Sequence, residues 1–207
     1  MNSANECLRV VGTGGTLREG STSLGALRRA LSAADEAGAE VELLDLRQLR
    51  LPMYEPGRPL DDHDPEVWRF IEAVRRADAL VLSTAAYHGR LDGVTKSALD
   101  STQFVEGNER VYLEGRALGL ISTAGDNRAA ANTTDAMVHI VHALRDIVAP
   151  QMMLIGGAWK RFADEWNVTE EGCGRRLDRL GRLVVDIAEA LTRGLKDRDA
   201  EAVGVAL

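Results

Sequence analysis

Apolar runs of strand length alternate with helix-length amphipathic stretches along the whole chain. Leu8-Arg9-Val10-Val11-Gly12 reads as a short buried strand. Beyond a Gly/Thr/Ser loop, Leu24, Leu27, Leu31 and Ala34 recur in steps of three, four and three, the face of a helix that Gly38 ends. Further strands are expected at 41–46, 79–83, 117–122 and 152–155. Between them, Val67, Ile71 and Val74 mark a helix after a loop punctuated by Pro52, Pro56, Pro59 and Pro65; another helix is expected around 94–104. Met137, Ile140, Val141 and Leu144 mark the next, and Leu177, Leu180, Val184, Ile187 and Leu191 trace a closing helix. Strands that are continuously apolar, each followed by a helix, predict an α/β fold whose parallel sheet is covered on both faces. One domain over 1–195 is expected, with 196–207 as a frayed C-terminal tail.

Four of the strands end in small or hydroxyl residues: Gly12-Thr13, Ser83-Thr84, Ser122-Thr123 and Gly156-Gly157. Ligands of open α/β sheets bind off the carboxyl ends of the strands, so the chain is least bulky where a ligand belongs.

Composition narrows the function classes. The 207 residues carry 25 basic and 32 acidic side chains, a net charge of −7, which argues against a duplex nucleic-acid partner but not against a phosphorylated small ligand. No run approaches the ~20 apolar residues of a membrane span. Residues 1–6 lack a basic region before an apolar one, so a signal peptide is not expected. Cys7 and Cys173 form no CxxC or metal-ligand spacing and fit a reducing, cytoplasmic setting. No metal site is expected.

The loop Gly12-Thr13-Gly14-Gly15-Thr16-Leu17-Arg18-Glu19-Gly20-Ser21-Thr22-Ser23 joins the first strand to the first helix. It offers glycines for close backbone approach, several hydroxyls, one Arg and the unpaired N–H groups of a helix start, the components of a phosphate cradle. No Lys follows Gly20, so it is not a P-loop, and Leu17 stands where a dinucleotide fingerprint needs its third Gly. N-capping by Ser and Thr in a mobile turn is the plainer reading. After the third strand, Thr84-Ala85-Ala86-Tyr87-His88-Gly89-Arg90-Leu91-Asp92-Gly93 sets small residues and one aromatic ahead of a helix. Such a loop can lay N–H groups along the edge of a flat heterocycle.

These two loops resemble those of the NADPH-dependent FMN reductase family of flavodoxin-like proteins, which includes flavin, quinone, azo-dye and chromate reductases. The family's first loop reads G-S-x-R-x-x-S, and Gly15-Thr16-Leu17-Arg18-Glu19-Gly20-Ser21 matches it with Thr for Ser. Its second reads approximately P-x-Y-N-x-x-x-x-G-x-L-K-N-x-[IL]-D. Here Tyr87, Gly93, Lys96, Leu99 and Asp100 hold the register, while Ala85 replaces Pro, His88 Asn, Thr95 Leu and Ser97 Asn.

The resemblance implies a flavodoxin-like three-layer sandwich with a five-stranded parallel sheet in the order 2-1-3-4-5. It implies that Thr16, Arg18, Ser21, Thr22 and Ser23 hold the FMN phosphate. Ala85, Ala86, Tyr87, His88 and Gly89 would line the ring, with Ser122, Thr123, Ala124 and Gly125 at its other edge. The implied activity is hydride transfer from NADPH or NADH through FMN to a second small-molecule acceptor: free flavin, a quinone or an azo compound. Free flavin as acceptor would imply a flavin-dependent monooxygenase partner. The family commonly forms dimers, so a homodimer or a dimer of dimers is expected.

The alternative is an electron carrier without a nicotinamide site. Such a flavodoxin usually sandwiches its ring between aromatics of the third- and fourth-strand loops. Here the first of these loops has Tyr87 alone and 122–128 has none, which favours an open ring face and the reductase. His88 is the catalytic candidate, as a proton donor or substrate contact, because histidine changes charge near neutrality. Arg90 and Arg128 would meet a nicotinamide nucleotide phosphate or stand solvated. Trp159, Phe162 and Trp166 would pack at a subunit contact or in the core. His139 and His142, with Asp135 and Asp146 a turn to either side, read as a solvated helix face. Asp61-Asp62-His63-Asp64 is expected to cap the helix after Pro65.

Overall fold

A computed structural model describes residues 7–105, 112–164 and 166–204. The expectations for 1–6 and for the last residues of the tail, 205–207, lie outside the described residues. Strand β1 (Arg9–Gly14) is followed by α1 (Thr22–Glu36), β2 (Glu40–Asp45), α2 (Leu46–Leu49) and α3 (Pro65–Arg76). Then come β3 (Ala79–Tyr87), β4 (Arg90–Leu91), α4 (Gly93–Ser101), β5 (Ala117–Ala124) and α5 (Asn127–Ala143). Strands β6 (Ile147–Val148) and β7 (Met153–Gly156) and the helix α6 (Glu171–Gly204) complete the order.

The sheet runs β2-β1-β3-β5-β6, with β7 also paired to β5 and all of these parallel. This is the expected order, with the fifth position filled by two short strands instead of one. Pro150 lies between them, and a residue with no N–H cannot continue a ladder. Strand β4 is an unexpected addition, antiparallel to the end of β3.

Successive strand residues face opposite cores. Val10, Ala79, Val81, Ala117 and Ile121 pack under α1 and α6 with Leu24, Leu27, Leu31, Leu177, Leu180 and Val184. Val11, Leu80, Leu82, Leu118 and Leu120 pack under α3, α4 and α5 with Phe70, Ile71, Val74, Met137 and Val141. Burying each large side chain contributes about 1.5–3 kcal/mol, so both helix layers are held by the faces that the apolar spacing marked. Helix α6 is helical to Gly204, well past Leu191 and into the segment set apart as a tail. Among the described residues no helix is long and apolar enough to cross a membrane.

Asp64 occupies the N-cap position of α3, but its side chain makes no cap bond; Pro65 at the first turn needs none for its missing N–H. The expected acidic cap is therefore positional only.

Candidate functional site

Three loops meet at the carboxyl ends of β1, β3 and β5. The first is drawn onto β3: the Gly15 N–H donates to the Ser83 carbonyl at 3.4 Å, and Ser83 Oγ donates to the Ser23 carbonyl at 2.8 Å. Ser21 caps α1, accepting from the Leu24 N–H at 3.4 Å, and its hydroxyl meets that of Ser23 at 2.9 Å. Both are buried, Ser23 completely. Thr16 is buried as well, and its Oγ1 accepts from the Arg18 N–H at 3.3 Å. Arg18 is exposed and Thr22 half-buried. The buried hydroxyls thus shape the loop from behind, while Thr22, Arg18 and the first N–H groups of α1 remain for a ligand.

The second loop is a β-hairpin. Ala86 pairs with Leu91 and Tyr87 with Arg90 across the two-residue turn His88-Gly89. Both turn residues have positive φ, 53° and 75°, the type I′ geometry that matches strand twist. Tyr87 is 53% exposed, His88 stands at the exposed tip, and Ala85 and Ala86 are half-buried. The turn lies against α5, where a Cβ on Gly89 would be 3.6 Å from Asn132 Nδ2. Arg90 is exposed and donates to the Gly89 carbonyl at 2.9 Å. Behind the hairpin, the buried carboxylate of Asp92 caps α4, accepting from the Thr95 N–H at 2.8 Å. It also accepts from Thr84 Oγ1 at 2.7 Å. Sequence reasoning assigned Asp92 no role, although an Asp three residues ahead of Thr95 at a helix start is a capping signal.

The third loop follows β5. Ser122 Oγ donates to the Ala130 carbonyl at 2.9 Å and lies 2.7 Å from Thr134 Oγ1, and Thr123 Oγ1 donates to the Thr84 carbonyl at 3.5 Å. Both residues are buried, so their hydroxyls fasten β5 to α5 and β3. Ala124 is buried and Gly125 exposed; Asp126 caps α5 by accepting from the Ala129 N–H at 2.9 Å.

Clefts flank the three loops on both sides. One of about 580 Å³ is lined by Asp126, Asn127, Gly157, Lys160 and Arg161 among others. Arg161 is paired there with Glu170. The other, about 380 Å³, lies between Leu17 of the first loop, Leu46, Arg47, Arg50 and Leu51 after β2, and Val94 of α4.

The remaining candidates fall elsewhere. Phe162 is buried in the core, while Trp159 and Trp166 are 68% and 69% exposed. The Arg28 guanidinium lies 3.6 Å over the Trp166 ring. His139 and His142 are exposed on α5, His139 Nε2 being 3.8 Å from Asp135 Oδ2. Asp146 is buried apart from them, beside Ile147. Arg128 is exposed in the first turn of α5. Among the described residues no group of three or more His, Cys, Asp or Glu side chains could hold a metal ion.

Residues 8–160, which contain all three loops, match the family model of NADPH-dependent FMN reductase. The chain belongs to the NADPH-dependent FMN reductase family. A relative from Pseudomonas aeruginosa (strain PAO1), named an NAD(P)H-dependent FMN reductase, is 36% identical over 45% of this chain and 49% of its own length. A protein of Oryza sativa subsp. japonica, named as an NADPH:quinone oxidoreductase, is 32% identical over 46% of this chain and 47% of its own. The chain thus spans about half the length of the curated relatives it matches. Among solved structures, the flavoenzyme NAD(P)H:(acceptor) oxidoreductase of Paracoccus denitrificans superposes with a TM-score of 0.71 at 19% identity, covering 88% of this chain and 98% of that one. A flavodoxin from the domain Archaea superposes at 0.59, with 10% identity over 89% and 99% of the two chains. The FMN reductase family fold is therefore the flavodoxin-like one expected.

Proposed function

We propose that the chain is an FMN-dependent NAD(P)H oxidoreductase that reduces a second small acceptor: free flavin, a quinone, an azo compound or a similar molecule. The observation that carries this reading is the joining of a glycine- and hydroxyl-bearing loop to an exposed hairpin through Ser83. The residues fit FMN. Gly14 lies against the Ser83 carbonyl and Gly15 against Leu24, so the first loop is held close to β3 and α1. The start of α1 turns N–H groups outward, and Arg18 stands on the rim to meet a phosphate. Thr16, Ser21 and Ser23 hold that loop in shape, and Thr22 adds a hydroxyl. Ala85, Ala86, Tyr87, His88 and Gly89 would line one side of the ring, with the backbone of Ser122, Thr123, Ala124 and Gly125 along the opposite edge.

When bound, FMN supplies a ring that accepts a hydride and passes on one or two electrons. The chain's part is to hold that ring with one face open. Small side chains at 85, 86, 124 and 125, together with the outward-facing Tyr87, leave room for a nicotinamide or an acceptor to enter and leave. A ring nitrogen of His88, exposed at the hairpin tip, would give a proton to a reduced acceptor. Arg90 and Arg128, both exposed beside the loops, are candidates for the phosphates of NADPH or NADH.

We further assign the protein to the cytoplasm, as a homodimer or dimer of dimers whose contacts include the exposed Trp159 and Trp166. A flavin-dependent monooxygenase is its partner if free flavin is the acceptor.

The test is a visible spectrum of the purified protein loaded with FMN, followed by anaerobic addition of NADPH and then NADH. Bleaching of the visible flavin band by either nucleotide is expected. A protein that takes up no FMN overturns the reading, and one whose FMN stays oxidised with both nucleotides is a carrier.

A further inference from the structure

The Ala85 N–H and the Thr95 hydroxyl of the second loop converge on one buried carboxylate. Both donate to one atom, Oδ2 of Asp92, at 3.2 Å from the Ala85 nitrogen and 3.0 Å from Thr95 Oγ1. Thr84 Oγ1 donates to the same oxygen at 2.7 Å and accepts from the Asp92 N–H at 3.3 Å, while the Thr95 N–H holds Oδ1 at 2.8 Å. The carboxylate is 3% exposed. Ala85 lies past the last β1–β3 rung, Gly14 with Ser83, where β1 has already left the sheet.

Each half of this arrangement needs the other. A buried carboxylate short of donors is costly, and proline at 85 with leucine at 95 would remove two of them. Without Asp92, in turn, the Ala85 N–H, the Thr95 N–H and the Thr95 hydroxyl would lose their acceptor. We infer that Asp92 is a positioning residue for the ring-facing hairpin. It ties the end of β3 to the first turn of α4. It touches no ligand. It also occupies the Ala85 N–H, so the donors this loop can turn toward a heterocycle begin at Ala86.

The inference rests on the flavin reading of the site, and one set of titrations separates the two. Asp92→Ala and Asp92→Asn are titrated with FMN and with riboflavin, following visible absorbance and the visible circular dichroism of the bound ring. Both variants should bind both flavins about tenfold or more weakly, by the same factor for each, with an altered dichroic band. The defect lies at the ring loop, whereas a phosphate-loop defect would separate the two ligands.

The variant Ala85→Pro/Asp92→Ala/Thr95→Leu removes the acceptor together with two of its four donors; the Thr84 hydroxyl can turn its proton to the Ala85 carbonyl, 3.2 Å away, and only the N–H of residue 95 loses its partner. It should recover FMN affinity to within about threefold of wild type. This rescue is a readout that a general loss of stability would not move, and it stands alone if Asp92→Ala does not fold. Unchanged flavin binding in Asp92→Ala, or no recovery in the triple variant, overturns the inference. A wild-type protein that binds neither flavin overturns the reading of the site, and this inference with it.

Discussion

A Cβ on residue 14 would stand 2.0 Å from the carbonyl oxygen of Ser83. The close approach lets β1 end against β3, so that the first loop turns directly over the second. Gly14 also has φ +149°, where a side chain is strained. Gly14→Ala must therefore push the two strand ends apart. We expect a loss of about 2–4 kcal/mol of stability in urea denaturation, accompanied by weakened FMN binding. A loss below about 1 kcal/mol would mean the loop yields without cost.

The phosphate contact proposed for Arg18 can be told apart from a contact to the ring. The Arg18 side chain is exposed, next to a loop whose buried hydroxyls already bond to the protein. Arg18→Ala should weaken FMN about tenfold to a hundredfold, the worth of a charge-assisted contact, and leave riboflavin nearly unchanged. Titration of both ligands by visible absorbance checks this; equal loss for both would remove Arg18 from the phosphate.

What was legible in the sequence was whatever burial writes into residue order. Strands covered on both faces are continuously apolar, and the faces of α1, α3 and α6 follow the helical repeat, so the elements and their layers could be anticipated, while the strand order came from the resemblance of the two loops. Elements too short for any period escaped: α2 has four residues and β4 two. The His88-Gly89 turn was hidden because the usual hairpin signal is Asn-Gly, and histidine at positive φ carries no comparable mark. Strand β6, two residues ahead of Pro150, escaped as α2 and β4 did. The direction of a hydroxyl was beyond reach: nothing in the letters says that Ser23, Ser122 and Thr123 point inward while Thr22 does not. Nor could Gly181 be read, yet its Cβ would meet the Ala30 carbonyl oxygen at 2.0 Å, which sets how closely α6 lies on α1.

Away from the site, Asp146 links stability to pH. Burial pushes its carboxyl up to about 8, against the pull of the Ile147 N–H bond and the Arg116 charge. A carboxyl with a raised folded value holds its proton in the folded state after the unfolded chain has lost it. Its contribution is therefore fully present below about pH 4 and is lost as pH rises toward 8. Asp146→Asn abolishes this linkage while keeping an oxygen for the Ile147 N–H. Urea denaturation at pH 5 and pH 8 should show wild type losing more stability than the variant, by on the order of 1–3 kcal/mol. Equal losses in the two proteins would show that Asp146 does not titrate in this interval.

His88 combines a backbone duty with a candidate chemical one, and Asn separates them. The residue sits at φ 53° in the first position of the turn, a left-handed conformation that asparagine adopts more readily than most side chains. His88→Asn should therefore keep the hairpin, and with it FMN affinity to within about twofold of wild type. It removes the imidazole, and a carboxamide neither gives nor takes a proton near neutral pH. If His88 donates a proton to the reduced acceptor, the variant should lower the rate of quinone or azo reduction about tenfold to a hundredfold at neutral pH. Reduction of bound FMN by NADPH, which needs no such donor, should be unchanged in single-turnover measurements. His88→Val serves as the opposite control: a β-branched side chain at positive φ strains the turn and should weaken FMN itself. If His88→Asn keeps the wild-type rate of acceptor reduction, His88 has no part in proton transfer.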